Sequence, residues 1–507
     1  MNFGSILFDH DSPAETAQQP DCFPDLNLDQ VIQAITARKQ EYNLKPFYYT
    51  PLKEITSIRY RQEIMQDLTQ EALMAALKTF AELMVRVRRY LNLSEKLDHL
   101  HHKQGWFLEA ALVYSKAVVD LGRDISSLSL RSKGLVAFRQ HLNEYLTSQP
   151  FESLFAEAKK VKEGLGRIRY CIILQNGTVR VRRYEGEIDY SVEVEKTFAK
   201  FKQGAVKDYR RELSKSAGMN HIEAQILDFV ARLFPEEFAA LDQFCRNHQD
   251  FVAETLRRFD REIQFYIAYL DFIAEVKRKG LSFCLPSVVK EKHIYAHQTF
   301  DIALAHSLRH ERQEIVPNDF YLKHKERIMV VSGPNQGGKT TFARMFGQLH
   351  YLATLGCPVP GKDAQLSLCD HVFTHFEREE DLRNLSGKLQ DDLERIHHIL
   401  NHATADSILI LNEVFSSTTF EDAVFLSKEI MQQISNLDAY CVWVTFLDEL
   451  ATFNEKTVSM VSTVKPDNAA ERTYKIIRKA ADGLAYALSL AEKHRLTYHQ
   501  IMERIHS

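Results

Sequence analysis

Gly333-Pro334-Asn335-Gln336-Gly337-Gly338-Lys339-Thr340 follows the apolar run Ile328 to Val331 and precedes a helix-like segment, Phe342 to Leu355. A glycine-rich turn leading from strand to helix lets successive backbone N–H groups wrap a phosphate chain at the positive end of a helix. In that setting Lys339 reaches the β- and γ-phosphates and the Thr340 hydroxyl is a ligand for Mg²⁺. The stretch therefore predicts a P-loop that binds a nucleoside triphosphate with Mg²⁺.

Downstream, Ser407-Ile408-Leu409-Ile410-Leu411-Asn412-Glu413 reads as a buried strand ending in two polar groups. P-loop enzymes place a magnesium-side residue and a water-orienting carboxylate at such a strand end. This assigns Asn412 to the metal and makes Glu413, with Lys339, the expected catalytic pair. Most enzymes of this type carry Asp where this chain has Asn412; the amide keeps the shape but lacks the charge, which implies weaker Mg²⁺ retention or slower turnover. Between the two strands lies Asp381-Leu-Arg-Asn-Leu-Ser-Gly-Lys-Leu-Gln. Its Ser386-Gly387 either opens a helix whose N–H groups face a γ-phosphate across a dimer interface, or is a plain helix N-cap.

The chain has 507 residues, 45% apolar and 26% charged, which suggests roughly two to four folded domains. A net charge of −4 excludes global attraction to a polyanion, so any nucleic-acid surface must be a local patch. Seven scattered cysteines without a C-x-x-C pair argue against a disulfide framework or a zinc site and fit a reducing cytosol. No apolar run of membrane-spanning length is present, and the polar, acidic N-terminus lacks the order of a signal peptide. The expectation is a cytoplasmic protein with no membrane partner.

Apolar residues three and four apart, such as Ile64, Leu68, Leu73, Leu77, Phe80, Met84 and Val87, predict long amphipathic helices from Ile58 to about Gly164. A shorter helical pattern precedes them at Leu28 to Tyr42, and a second long stretch runs from Ile222 to Lys279 with a break at Pro235. Between the helical arms, Arg167 to Tyr190 holds two β-rich runs around Asn176-Gly177, a hairpin signal. Arg167, Arg169, Arg180, Arg182 and Arg183 make this segment basic, which fits either contact with a phosphate backbone or a solvated hairpin whose charges discourage edge pairing.

Taken in order, these pieces resemble the MutS family of DNA mismatch-repair ATPases. Gly-Pro-Asn-x-Gly-Gly-Lys-Thr is similar to that family's rare form of the loop. Val316-Pro317-Asn318-Asp319 resembles its Asn-Asp segment, and Gly356 to Pro360 its Gly-x-x-Val-Pro; Ala403-Thr404 precedes the second strand as expected. Asn412-Glu413 leads into Ser417-Thr418-Thr419-Phe420-Glu421-Asp422-Ala423, similar to the family's Ser/Thr-rich segment. Val444 to Leu450 looks like its switch strand, and Asp482-Gly483 to Arg504 like its closing glycine and helix. Farther forward, Pro51-Leu52 and Ile58 to Arg61 resemble the start of the core domain, and Tyr269-Leu270-Asp271 the end of the lever arm. The similarity covers roughly residues 45 to 507.

The resemblance implies helical core and lever arms with a small β-rich clamp insert, followed by an α/β P-loop domain of the ABC type. The expected layout is a lead-in at 1–44, helical core and lever at 45–164, clamp-like insert at 165–218, returning lever helices at 219–284 and the ATPase domain at 285–507. It places Gly333, Pro334, Asn335, Gln336, Gly337, Gly338, Lys339, Thr340, Thr341 and Asn318 at the ATP, and Ser386-Gly387 at the partner subunit's site. A homodimer clamping DNA or another structured nucleic acid follows, related to mismatch repair. Three departures qualify this. No room precedes Leu28 for the family's wedge domain, so mismatch reading by intercalation is not expected. Phe446 replaces the histidine of the switch strand, and Ile315 stands where the family often has an aromatic residue. Hydrolysis is then expected to be slow.

The alternative is an ATP-gated protein-interaction scaffold with little hydrolysis and no nucleic-acid contact; a membrane-transporter ATPase is a distant third. His99, His101, His102, His397 and His398 lack metal-site spacing and read as solvated helical residues.

Overall fold

Strands Ile328–Ser332, Ile408–Asn412 and Tyr440–Val444 are buried at every position. A strand apolar on both faces belongs inside a parallel sheet covered on both sides. In the computed structural model, which describes residues 3–9, 16–188, 219–377, 387–465, 468–481 and 501–502, they form the centre of a six-stranded sheet. Its order is Val372–His375, Ile408–Asn412, Tyr440–Val444, Ile328–Ser332, Thr457–Lys465, Asn468–Arg478. All neighbours are parallel except the last strand, which returns antiparallel. Helix Lys339–Thr354 packs on this sheet. A cluster including Leu409, Leu411, Trp443, Ile430, Met431 and Ile434 forms a second packed layer with helix Phe420–Leu437. A separate four-stranded sheet ends in Asn318–Leu322.

These elements belong to a compact unit made of Gly4–Thr69, Leu130–Leu135 and Arg261–Ser507. Within it Arg61 is fully buried: its guanidinium lies 5.0 Å from the Phe8 ring and 5.2 Å from the Phe265 ring. It donates to the Leu7 and Leu355 carbonyls at 2.9 and 3.1 Å.

The second unit comprises Met1–Phe3, Gln70–Ser129 and Val136–Asp260. Its helices Glu71–Lys96 and Leu100–Ser126 pair along their length, with Leu73, Leu77, Phe80, Met84 and Val87 all buried. Helices His221–Leu233 and Pro235–Asn247 are separated at Phe234, with Pro235 in the first turn where its missing N–H costs nothing. The hairpin strands Tyr170–Gln175 and Thr178–Arg183 pair antiparallel through Asn176 and Gly177, whose φ values of 49° and 73° suit a two-residue primed turn.

Some local readings differ from the structure. The helix predicted at Leu28 to Tyr42 stops at Thr36, because the buried stripe Val31, Ile32, Ile35 ends there, and Gln40–Tyr42 is a short 3-10 turn. The helix after the glycine-rich loop begins at Lys339, ahead of Phe342. The strand expected over Val444 to Leu450 ends at Val444, and Asp448–Thr452 is a 3-10 turn. Asp381 to Ser386 and the tail Asp482 to Arg504, apart from Ile501 and Met502, lie outside the described residues. The seven cysteines are free. Among the described residues no helix is long and apolar enough to cross a membrane.

Asp438 closes helix Phe420–Leu437 in the left-handed region, at φ 61°. Lys456 donates to one of its oxygens at 2.6 Å, and Lys292 and Arg327 to the other at 3.2 Å each. Partial burial opposes ionisation, but hydrogen bonds from Lys456 and Lys292 and the charges of Lys292 and Arg327 outweigh it, bringing the carboxyl to about 2. A depressed carboxyl stabilises the fold above its ordinary value, and that contribution is lost as pH falls through the folded-state value. Asp438→Asn keeps a residue tolerant of the left-handed cap. It is expected to lower the melting temperature near neutral pH and to flatten its decline on acidification from about pH 4 to 2. Identical melting curves across that range would refute the network's role.

Candidate functional site

The loop after Ile328–Ser332 is shaped by its glycines. Gly333 has φ 113°, and a Cβ there would lie 2.9 Å from the Ser462 carbonyl oxygen. Gly337 is closed in by Ser462, whose hydroxyl donates to the Gly337 carbonyl at 2.7 Å. Gly338, at φ 89°, opens helix Lys339–Thr354 with no side-chain cap, so the first-turn N–H groups face the cleft.

Lys339 is 6% exposed, and its ammonium donates to the Gly333 and Pro334 carbonyls at 2.9 and 3.2 Å and to Asn335 Oδ1 at 3.2 Å. Burial lowers its pKa, the Glu413 carboxylate opposes this, and the charge of Arg472 adds to the lowering. Thr340 Oγ1 donates to Asn412 Oδ1 at 3.0 Å, which joins the helix start to the end of strand Ile408–Asn412. Glu413, one residue beyond, adopts φ 52° and is fixed by its N–H to the Val444 carbonyl at 2.9 Å. Val414 and Phe415 are buried behind it, and Glu413 lines the cleft.

The cleft has a volume of about 430 Å³. Its lining combines the loop from Asn335 to Thr341 and Glu413 with the apolar Phe300, Leu304, Leu308 and Ile315. Thr341 and Asn318 also line it. The Asn318 side chain is occupied, however: it donates to the Tyr474 carbonyl at 3.1 Å and accepts from the Ile476 N–H at 2.8 Å. Gly333 and Pro334 supply their carbonyls to Lys339. Gly387 caps helix Lys388–His402, and Ser386 lies outside the described residues. Phe446, 54% exposed, follows Thr445, whose N–H donates to the Val331 carbonyl at 3.1 Å.

Two residues that the motifs did not single out meet this site. Tyr474, 46% exposed, lines the cleft with its backbone at φ 57°. Arg472 donates from Nε to the Asn335 carbonyl at 3.1 Å. Both lie more than a hundred residues from the loop, on a strand that only sheet closure brings near; their local sequence carries no signal.

The five candidate arginines lie in the other unit, and the hairpin separates them. Facing residues of an antiparallel pair share a side. Arg180, opposite Ile173, and Arg182, opposite Cys171, share one face. Arg183 shares the other with Ile172, Leu174, Val179 and Val181. Its guanidinium donates to the Leu233 carbonyl at 3.1 and 2.5 Å and lies 5.0 Å from the Phe234 ring, so it anchors the hairpin. Arg182 pairs with Glu187 at 2.6 Å. Arg169 turns back to the Gly166 and Ile168 carbonyls at 3.0 Å each, and Arg167 ends helix Gln149–Arg167. Of the histidines, His99 bonds Asp228 at 3.0 Å and His102 accepts from the Trp106 indole at 3.0 Å.

The family model for MutS domain V matches residues 329–504, which contain the glycine-rich loop, the Asn412-Glu413 strand end and Tyr474. Residues 329–504 thus belong to the MutS family, as its domain V. Among relatives, the chain is 33% identical to the DNA mismatch repair protein MSH3 of Kluyveromyces lactis over 133 residues, 26% of this chain and 13% of that protein. It is 26% identical to the DNA mismatch repair protein MutS of Orientia tsutsugamushi over 216 residues, 42% of this chain and 24% of the relative. It is 27% identical to MutS of Petrotoga mobilis over 398 residues, 68% of this chain and 49% of the relative. The matches thus cover at most about half the length of these relatives.

Proposed function

We propose that this MutS-family chain binds and hydrolyses ATP in the cleft and works in the cytoplasm as a nucleotide-switched dimeric clamp on DNA, in a role related to mismatch repair. The observation that carries the ATPase reading is the convergence of the uncapped helix start, Lys339, the Thr340–Asn412 pair and Glu413 on one cleft. The first-turn N–H groups and Lys339 bind phosphate oxygens, the ammonium exchanging loop carbonyls for the β- and γ-phosphates. Thr340 Oγ1 and Asn412 Oδ1, 3.0 Å apart, fit the oxygen donors that Mg²⁺ takes. Bound there, the ion would neutralise phosphate charge. Glu413 orients the attacking water and accepts its proton. Tyr474 offers an aromatic face to the base, a surface that Ile315 lacks. Closure of paired heads, with Gly387 near the partner's nucleotide, would be transmitted through the helical arms to the hairpins.

A specific observation favours the rival scaffold reading. Leu174, at 77% exposure, and Ile172 and Val179 leave the hairpin's apolar face open, as a protein partner would use it. The deciding experiment measures ATP turnover with and without duplex, branched and single-stranded nucleic acid, with Glu413→Ala as control. Stimulation by one nucleic acid, lost in the control, supports the clamp. The double variant Arg180→Glu/Arg182→Glu is expected to weaken nucleic-acid binding at least tenfold at about 0.1 M salt and to reduce its salt dependence. Salt-insensitive association with a protein partner and no response to nucleic acid would replace the clamp with the scaffold.

A further inference from the structure

The last strand of the sheet carries an irregularity aimed at the P-loop. Ser462 pairs with Ile476 and Val464 with Arg472, so the single residue Thr463 faces three residues, Thr473, Tyr474 and Lys475. Such bulges re-aim side chains and occur beside functional sites. This one is held from several directions. Thr463 Oγ1 donates to the Lys475 carbonyl at 3.0 Å, and Thr473 Oγ1 donates to the Thr463 carbonyl at 2.9 Å. Asn318 fixes the Tyr474 carbonyl and the Ile476 N–H. The positive φ of Tyr474 is a local cost that these bonds offset.

At the foot of the bulge Arg472 meets the loop through the Asn335 carbonyl, 3.1 Å from its Nε. The Asn335 side chain is also 3.2 Å from the Lys339 ammonium, so the two cations converge on one residue. That residue marks the end of the loop served by Lys339, where β- and γ-phosphates bind. Bringing like charges together costs energy that an intervening polyanion removes. A guanidinium also suits phosphate oxygens, which it grips with two parallel N–H donors.

We propose that Arg472 is a phosphate-contacting residue, supplied by the bulged strand of the same chain, that distinguishes a nucleoside triphosphate from a diphosphate. The proposal rests on the nucleotide reading of the cleft and adds the recognition of the terminal phosphate. In the structure Arg472 holds the Asn335 carbonyl; the proposed contact has its fork grip the terminal phosphate of a bound triphosphate.

The test is calorimetric titration of the full chain with the non-hydrolysable analogue AMP-PNP and with ADP, both with Mg²⁺. Arg472→Ala is expected to weaken AMP-PNP binding roughly 10- to 50-fold and to change ADP binding less than about threefold. Arg472→Lys, which keeps the charge without the fork, should fall between. Equal losses for both nucleotides would overturn the proposal in favour of a brace for the loop, and unchanged affinities would overturn it outright. If the unaltered chain binds neither nucleotide, the ATP reading of the cleft itself falls and this inference with it.

Discussion

Glu413→Gln is expected to slow ATP turnover by roughly 10²- to 10³-fold while leaving nucleotide affinity equal or slightly tighter. Glu413 is left-handed, its N–H is tied to Val444, and the buried Val414 and Phe415 hold the turn from behind. Glutamine has the same length and meets the same conformational cost, so the loop should keep its course. What changes is the ability to accept a proton from water, the role proposed for this carboxylate. Binding is expected to survive because the proposed phosphate contacts come from Lys339 and the helix N–H groups, and removing a carboxylate from a phosphate site reduces repulsion. Single-turnover hydrolysis alongside equilibrium binding separates the two quantities. A variant that hydrolyses within threefold of the unaltered chain would remove Glu413 from the mechanism.

What the sequence disclosed and what it withheld divides along the range of the interactions. The Asn176-Gly177 turn, the break at Pro235 and the strand before Gly333 were legible because each rests on residue types acting on their own backbone. The burial of Leu73, Leu77, Phe80, Met84 and Val87 was legible from spacing, since one helix face must pack. Three features could not be read in this way. Ser462 closes over Gly337 from 125 positions away, and only the pairing of Thr457–Lys465 with Ile328–Ser332 brings it there. The bulge that delivers Arg472 and Tyr474 depends on Asn318, which belongs to another sheet. Arg183 looked like one more free cation in a basic run, yet strand alternation puts it on the apolar face and against Leu233. Charge counting along a sequence does not see which face a strand residue occupies. The same alternation leaves Arg180 and Arg182 as the pair on which nucleic-acid contact is best tested.

The close approach of Ser462 leads to the other large expected effect. Gly337→Ala should weaken ATP binding by about 100-fold, roughly 2.7 kcal/mol, with the fold retained. Gly337 has no positive φ, so the demand for glycine is one of space. An added Cβ would lie 2.2 Å from Ser462 Oγ and 2.9 Å from the Pro334 carbonyl oxygen. The hydroxyl could rotate away, at the loss of its bond to the Gly337 carbonyl, worth about 1 kcal/mol. The Pro334 oxygen is backbone and also accepts from Lys339, so it cannot yield without moving the loop and the ammonium together. Strain is thus directed into the segment proposed to cradle phosphate. The core around Trp443, Leu409 and Ile434 lies outside that segment, so the melting temperature should change little. Ser462→Ala separates the two contacts. Alone it should cost little affinity; combined with Gly337→Ala it should restore part of the binding by removing the 2.2 Å contact, while the Pro334 contact persists. A positive coupling between the two sites is therefore expected from the double-mutant cycle. Full affinity in the Gly337→Ala variant would show that the loop opens freely there, and an additive pair would show that Ser462 is not what confines it.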